Sequence, residues 1–247
     1  MKYFAKIKYL GTNFHGFQVQ PGKRTVQGEL CRALSEALGV DVKVTGVSRT
    51  DAGVHANEFC ITALAPGATV PAQKLPLAVA RFLPNDLSLY YAEECLADFH
   101  PRYDVKSKEY LYRIINSPIY DPFEYGRAWF VPRTISDEAV ERMNIACSYI
   151  VGTHDFSAFM SEGSDVTDTV RTVYSCSTDK NGALIEIRIS ADGFLYNMVR
   201  IIVGTLIEVA YNRILPEEIP DIISSHSRAL AGMTAPAEGL YLDKVTY

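Results

Sequence analysis

Near the start of the chain Tyr3, Ala5, Ile7 and Tyr9 fall on one face, with Lys2, Lys6 and Lys8 on the other. That period of two predicts a strand with one buried side. After a turn the spacing changes. Val26, Leu30, Ala33, Leu34, Ala37 and Leu38 recur at helical intervals, and Thr25 and Gly39 suit the two ends of a helix. Residues 72–82 read as a second helix interrupted by Pro76, residues 83–87 as a loop and residues 88–95 as a strand. From Lys108 to Ile115 the alternation returns, with Tyr110, Tyr112 and Ile114 on one side. Ser136 opens an acidic first turn for a helix reaching about Val151. Finally Ala183, Ile185, Ile187 and Ile189 define a strand face, and the chain runs through Asp192 and Gly193 into an apolar helix from about Leu195 to Ala210. Strands interleaved with a few long helices, in places at hairpin spacing, predict an α+β protein with a mixed sheet.

With 247 residues the chain is long enough for one large domain or two modest ones. Its five cysteines are odd in number and contain no C-x-x-C pair, which argues against a disulfide framework or a structural zinc and for a reducing cytoplasm. The longest apolar stretch, residues 194–211, is broken by Arg200 and Glu208, so no export or membrane segment is expected. A net charge of −5 is unfavourable for a nucleic-acid partner unless basic residues are gathered locally.

Polar chemistry is concentrated in Ser48-Arg49-Thr50-Asp51-Ala52-Gly53-Val54-His55-Ala56, a loop between the apolar runs at Val42 and Val44 and at Phe59, Cys60 and Ile61. Asp51 offers a nucleophile or a base, and Arg49 a planar fork for phosphate. The alternative is an aspartate that caps the turn and pairs with Arg49 at the surface. Arg200 lies in a helix that is apolar almost all round, so its guanidinium either finds an acid or extends to the surface. His55 reads as a structural hydrogen-bonder, and His154 and Asp155 as turn-forming residues. No metal-ligand cluster, phosphate-cradling loop or nucleotide fingerprint is evident.

The nonapeptide resembles the G-R-T-D-A-G-V-H-A signature of the tRNA pseudouridine synthase A family, and further matches follow in order along the chain. Tyr9-Leu10-Gly11-Thr12-Asn13-Phe14-His15-Gly16-Phe17-Gln18 is similar to that family's opening Y-x-G-T-x-F-x-G-x-Q. Phe99-His100-Pro101-Arg102-Tyr103 and Lys106-Ser107-Lys108-Glu109-Tyr110 resemble its F-H-x-R-(F/Y) and K-x-(R/K)-x-Y segments. Gly152-Thr153-His154-Asp155-Phe156-Ser157 and residues 194–204 resemble its last two signatures, ahead of Ala235-Pro236 and Gly239-Leu240.

The resemblance implies two α/β halves with mainly antiparallel sheets meeting at a central cleft, here divided as residues 1–105 and 106–247. It implies isomerisation of uridine to pseudouridine in the anticodon arm of tRNA, without cofactor or metal, by a homodimer. Asp51 would be the catalytic carboxylate, acting through a covalent adduct or a glycal, with Arg200 as its counter-charge. Tyr110 would stack on the target base and take part in proton removal at C5. Arg49 would enter the RNA while the uridine is flipped, and Leu240 would pack on the base. Apart from the resemblance, Arg49, Arg102, Lys106, Lys108 and Arg113 lie near these motifs and can supply the local basic patch that an RNA surface needs. Ser48, Leu10 and Phe59 depart from the pattern, at positions where the family has glycine, commonly aspartate and often glutamine. Two rivals remain at this point, an RNA-binding module without turnover and a glycosidic hydrolase with Glu58 as a second carboxylate.

Overall fold

The computed structural model describes residues 1–163 and 166–247. In chain order its elements are β1 (Lys2–Tyr9), α1 (Val26–Leu38), β2 (Lys43–Gly46), β3 (His55–Leu64), α2 (Leu75–Ala80), β4 (Leu87–Glu94), β5 (Ser107–Asn116), β6 (Trp129–Val131), α3 (Asp137–Ile150), β7 (Gly152–Asp155), β8 (Val170–Asn181), β9 (Leu184–Ala191), α4 (Met198–Ala210), α5 (Ile219–Ser225) and β10 (Leu240–Thr246). The α+β class expected from the pattern is the one observed. The chain forms two compact units, residues Met1–Lys106 with Tyr241–Tyr247, and Ser107–Leu240.

In the first unit the strand order is β4-β1-β3-β10, with β2 antiparallel on β3. Every pairing is antiparallel except β3 with β10, where Tyr241 faces His55 and Leu242 faces Ala56. That parallel pairing brings residues 241–247 into the first unit, although the sequence places them with the second half. Tyr3, Ala5, Ile7 and Tyr9 are buried as their alternation requires. Thr25 caps α1 by accepting the Gly28 amide, and Gly39 ends it at φ 68°, a conformation open to glycine at little cost. The second helix is shorter than residues 72–82. A 3-10 turn over Ala72–Lys74 precedes α2, and Pro76 falls in the first turn of α2, where its missing N–H costs nothing.

In the second unit the order is β5-β9-β8-β7, all antiparallel, and β6 joins β5 in parallel. Ser136 caps α3 through the Ala139 amide, and α3 packs on β8 and α4. Helix α4 begins at Met198, three residues later than its apolar run suggests, because Asn197 adopts a left-handed φ of 60° and interrupts the helical path. His154 and Asp155, expected as turn-forming residues, belong to strand β7, and only the Asp155 carboxylate reaches the following turn, accepting the Ser157 amide at 2.9 Å.

Candidate active site

The loop between β2 and β3 holds Asp51, half-buried, and a second loop of the same unit, residues 10–17, braces it through the main chain. The Phe17 amide donates to the Thr50 carbonyl at 3.1 Å, the Gly53 amide to the Phe14 carbonyl at 3.4 Å, and the Val54 amide closes the turn onto the Asp51 carbonyl at 3.2 Å. Beneath them the buried hydroxyls of Tyr9 and Thr50 share a hydrogen bond of 2.8 Å. Two glycines permit the close approach. A Cβ on Gly11 would overlap the Val54 carbonyl, and one on Gly16, at φ 81°, would lie 2.6 Å from the Thr50 carbonyl oxygen. The Gly11 amide donates to Nδ1 of His55 at 2.9 Å, and the fully buried imidazole stacks on Tyr241 with ring centroids 4.4 Å apart. His55 is therefore the structural hydrogen-bonder expected of it.

The bracing loop is anchored in turn. Leu10 donates its amide to the Asp86 carbonyl at 3.0 Å, and Arg24 grips the Asp86 carboxylate with two bonds of 2.8 and 2.7 Å while covering the Phe14 ring at 4.2 Å. The guanidinium holds the Asp86 carboxyl below its ordinary range by hydrogen bonding and charge, against the opposing effect of burial. Phe59, one of the departures from the family pattern, is a buried ring stacked on Phe17 at 4.5 Å, and Gly46 leaves space for both. Leu10 lies 36% exposed, and Ser48 borders a groove.

That groove, about 200 Å³, is lined among others by Ser48, Arg49, His100, Arg102 and Tyr103. Arg49 and Arg102, separated by half the first unit in sequence, are thus brought together, and both are exposed. Lys106 is exposed and donates its amide to the Thr246 carbonyl at 2.8 Å. Arg113 does not join a basic patch, because Glu124 at 3.3 Å and Glu186 at 4.0 Å neutralise it. Glu58 is also engaged, by Lys6 at 2.8 Å and the Val245 amide at 3.2 Å.

In the second unit Tyr110 sits on β5 opposite Ile189, is 7% exposed, and meets the Phe194 ring edge-on at 5.0 Å. Lys108, on the same strand, is half-buried. Arg200 occupies the first turn of α4, half-buried. Its Nη1 donates to Asn197 Oδ1 and its Nε to the Ala235 carbonyl, both at 2.7 Å. Asn197 is itself held by Nδ2 donating to Ser161 Oγ at 3.0 Å, and the Ala235 amide returns to the Arg200 carbonyl at 3.1 Å. The guanidinium is therefore held by the left-handed residue that delays the helix and by the Ala235 carbonyl. Tyr112 donates its hydroxyl to the Pro236 carbonyl at 2.7 Å, and burial pushes its phenol well above the ordinary range against the pull of Arg200. Gly239 allows the Tyr112 ring to pass, and Leu240 beside it is 7% exposed.

The role of Asn197 and the pairings of Tyr9 with Thr50 and of Gly11 with His55 have no signal in the sequence pattern. The signal for Gly11 and Gly16 was present as two glycines flanking one short loop, but what they approach is decided by the fold. Among the described residues no group of three or more His, Cys, Asp or Glu side chains is arranged to hold a metal, and no helix is long and apolar enough to cross a membrane.

The main-chain bonds around Asp51 fix the loop that carries it, with its side chain half-buried. The sequence model of the family described as tRNA pseudouridine synthase matches residues 5–104 and 146–247, and the chain belongs to that family. A relative named tRNA pseudouridine synthase A from Thermoanaerobacter sp. (strain X514) is 44% identical over 98% of this chain and 97% of its own. One from Acetivibrio thermocellus is also 44% identical over the same shares, and tRNA pseudouridine synthase A 2 from Clostridium tetani is 41% identical over 98% and 97%.

Proposed function

We propose that this chain isomerises uridine to pseudouridine in the anticodon arm of tRNA, working in the cytoplasm as a homodimer and needing no cofactor or metal. Substrate and product have the same atoms. The C1′–N1 bond breaks, a C1′–C5 bond forms, and the proton lost from C5 is matched by one gained at N1, so no co-reactant is consumed. Asp51 attacks the flipped nucleotide or removes a sugar proton. Tyr110 stacks on the base and serves the C5 proton, Leu240 packs against the base, and Arg200 supplies the positive charge that favours the ionised carboxylate. Arg49 enters the RNA and, with Arg102, Lys106 and Lys108, meets its phosphates.

The observation that carries this reading is the main-chain bracing of the half-buried Asp51 by residues 10–17, in a chain of this family. An RNA-binding module without turnover has no use for so constrained a loop around one carboxylate. The engagement of Glu58 by Lys6 weighs against a hydrolase that needs it as an acid.

Tritium release from tRNA labelled at uridine C5 tests the reaction directly, since neither rival exchanges that hydrogen. Release that rises with enzyme and time is expected, and its absence with folded protein would reject the assignment. The role of Arg200 has its own test. Arg200→Met alone should melt lower than Arg200→Met combined with Asp51→Asn, because the double change leaves no buried charge without its counter-charge. Independent additive effects would separate the two residues.

A further inference from the structure

The turn at residues 100–104 holds two rings at the surface of the first unit. The His100 carbonyl accepts the amides of Tyr103 and Asp104 at 3.2 and 3.1 Å, Asp104 Oδ2 accepts the His100 amide at 2.8 Å, and His100 Nδ1 accepts the Arg102 amide at 3.1 Å. So constrained, His100 and Tyr103 stack with centroids 4.2 Å apart and 30° between planes, yet Tyr103 remains 76% exposed. The histidine supports one face of the phenol ring and the other is left to solvent.

The same groove gathers unusual charge. Among the described residues every other arginine side chain has a carboxylate, another hydrogen-bonding or electrostatic partner, or an aromatic ring beside it. Arg49 and Arg102 have none, and both line the groove with Tyr103. In a chain of net charge −5, acids are abundant, and two exposed guanidiniums left without one on a single surface mark a site for an anion from outside. Gln27, at the back of the groove, is spent on the Val19 amide and the Val44 carbonyl at 3.0 and 2.8 Å, whereas the neighbouring Gln18 is exposed with no hydrogen bond among the described residues. Arg49 is two residues from Asp51, so the groove starts within about 8 Å of the catalytic residue along the backbone.

We propose that this groove binds a nucleotide of the RNA strand beside the target uridine. Its base stacks on the open face of Tyr103, its phosphates lie against Arg49 and Arg102, and the Gln18 amide meets the base edge. The ligand chemistry is an aromatic base joined to phosphate, and the proposal rests on the reading of the chain as a tRNA-modifying enzyme. A platform of this kind tolerates any base, since each has a π face, and positions the strand without a sequence code.

The test uses the full-length protein and wild-type tRNA, followed by tritium release and equilibrium binding. Tyr103→Ala should melt like the wild type because the ring is exposed, and should weaken tRNA binding by roughly five- to a hundredfold, with the loss carried mainly by KM. Tyr103→Phe should restore binding, because stacking needs the ring and not the hydroxyl. Among tRNAs made abasic in turn at each nucleotide flanking the target, one should bind the wild type and Tyr103→Ala equally, because its base is the one that stacks. Equal binding of intact tRNA by wild type and Tyr103→Ala, or a Tyr103→Ala defect that persists with every abasic tRNA, would overturn the proposal. Competition by a free nucleoside monophosphate near the tRNA Kd would also overturn it, assigning the groove to a small ligand. If the wild type releases no tritium at all, the functional reading fails first; if it does and only Tyr103 is silent, this inference fails alone.

Discussion

Around Asp51 the neighbouring chain supplies main-chain groups. Thr50, Asp51 and Gly53 have backbone partners, Gly11 and Gly16 are the residues that let those partners approach, and a buried hydroxyl pair lies beneath. Two residues away, Arg49 joins Arg102 and Tyr103 in a groove where the two exposed guanidiniums have no partner among the described residues. The difference follows what the proposed function asks of each region. A carboxylate that reacts at one carbon gains from a geometry that cannot relax, since a displacement of about 1 Å can cost about a hundredfold in rate. A surface that receives a polyanion gains from cations whose desolvation and pairing are deferred until the substrate arrives.

The largest expected effect breaks the chemistry and spares the binding. Asp51→Asn preserves shape and should lower tritium release by at least about a thousandfold, with tRNA affinity changed by no more than about threefold. Residual turnover near wild type would remove Asp51 from the reaction. Next comes the brace. Gly11→Ala forces a Cβ onto the Val54 carbonyl, and should destabilise by about 1–3 kcal/mol while lowering kcat by about a hundredfold, measured by chemical denaturation alongside the rate. A stable and fully active variant would show that the Asp51 loop does not depend on residues 10–17.

The groove is sharpened by salt. If Arg49 and Arg102 meet phosphates, Arg102→Ala should weaken tRNA binding evenly across tRNAs and reduce the slope of log K against log salt concentration by about one. An unchanged slope would leave Arg102 without a phosphate. The smallest effect lies at the anchor of the brace. The Asp86 carboxyl is held below its unfolded value near 3.9, so its contribution to stability is complete above about pH 4 and is lost as pH falls through the folded value. Asp86→Asn should therefore cost about 1 kcal/mol at pH 7, a modest figure because Arg24 is partly exposed, and the gap from wild type should close below about pH 4 in urea melts. A gap independent of pH would mean that the charge on Asp86 does not contribute.

How much of this was legible depended on whether the relevant signal is local. The faces of β1, β5 and β9, the Thr25 and Ser136 caps and the Gly39 stop follow from spacing and capping chemistry, which act within a few residues. Strand β8 was not legible from its hydrophobic pattern, because its buried positions are widely spaced and many of its residues are polar; only Asn181-Gly182 before β9 signals the hairpin. Strand β10 was missed for another reason. It alternates acceptably, but nothing in seven residues says that they return to pair in parallel with β3 at the far end of the sequence.

By itself the sequence determined the α+β class, the position of α1 to α4 and of strands β1, β4, β5 and β9, the loop in which Asp51 lies, and the family, since these depend on periodicity and on motifs read in order. Tertiary structure alone decided that Gly11 and Gly16 are backbone spacers, that Arg113 and Glu58 are neutralised, that Asn197 sets both the start of α4 and the aim of Arg200, and that Arg49 meets Arg102 and Tyr103 on one groove. Each of those outcomes turns on a partner tens of residues away or on a backbone angle, and a local pattern carries information about neither.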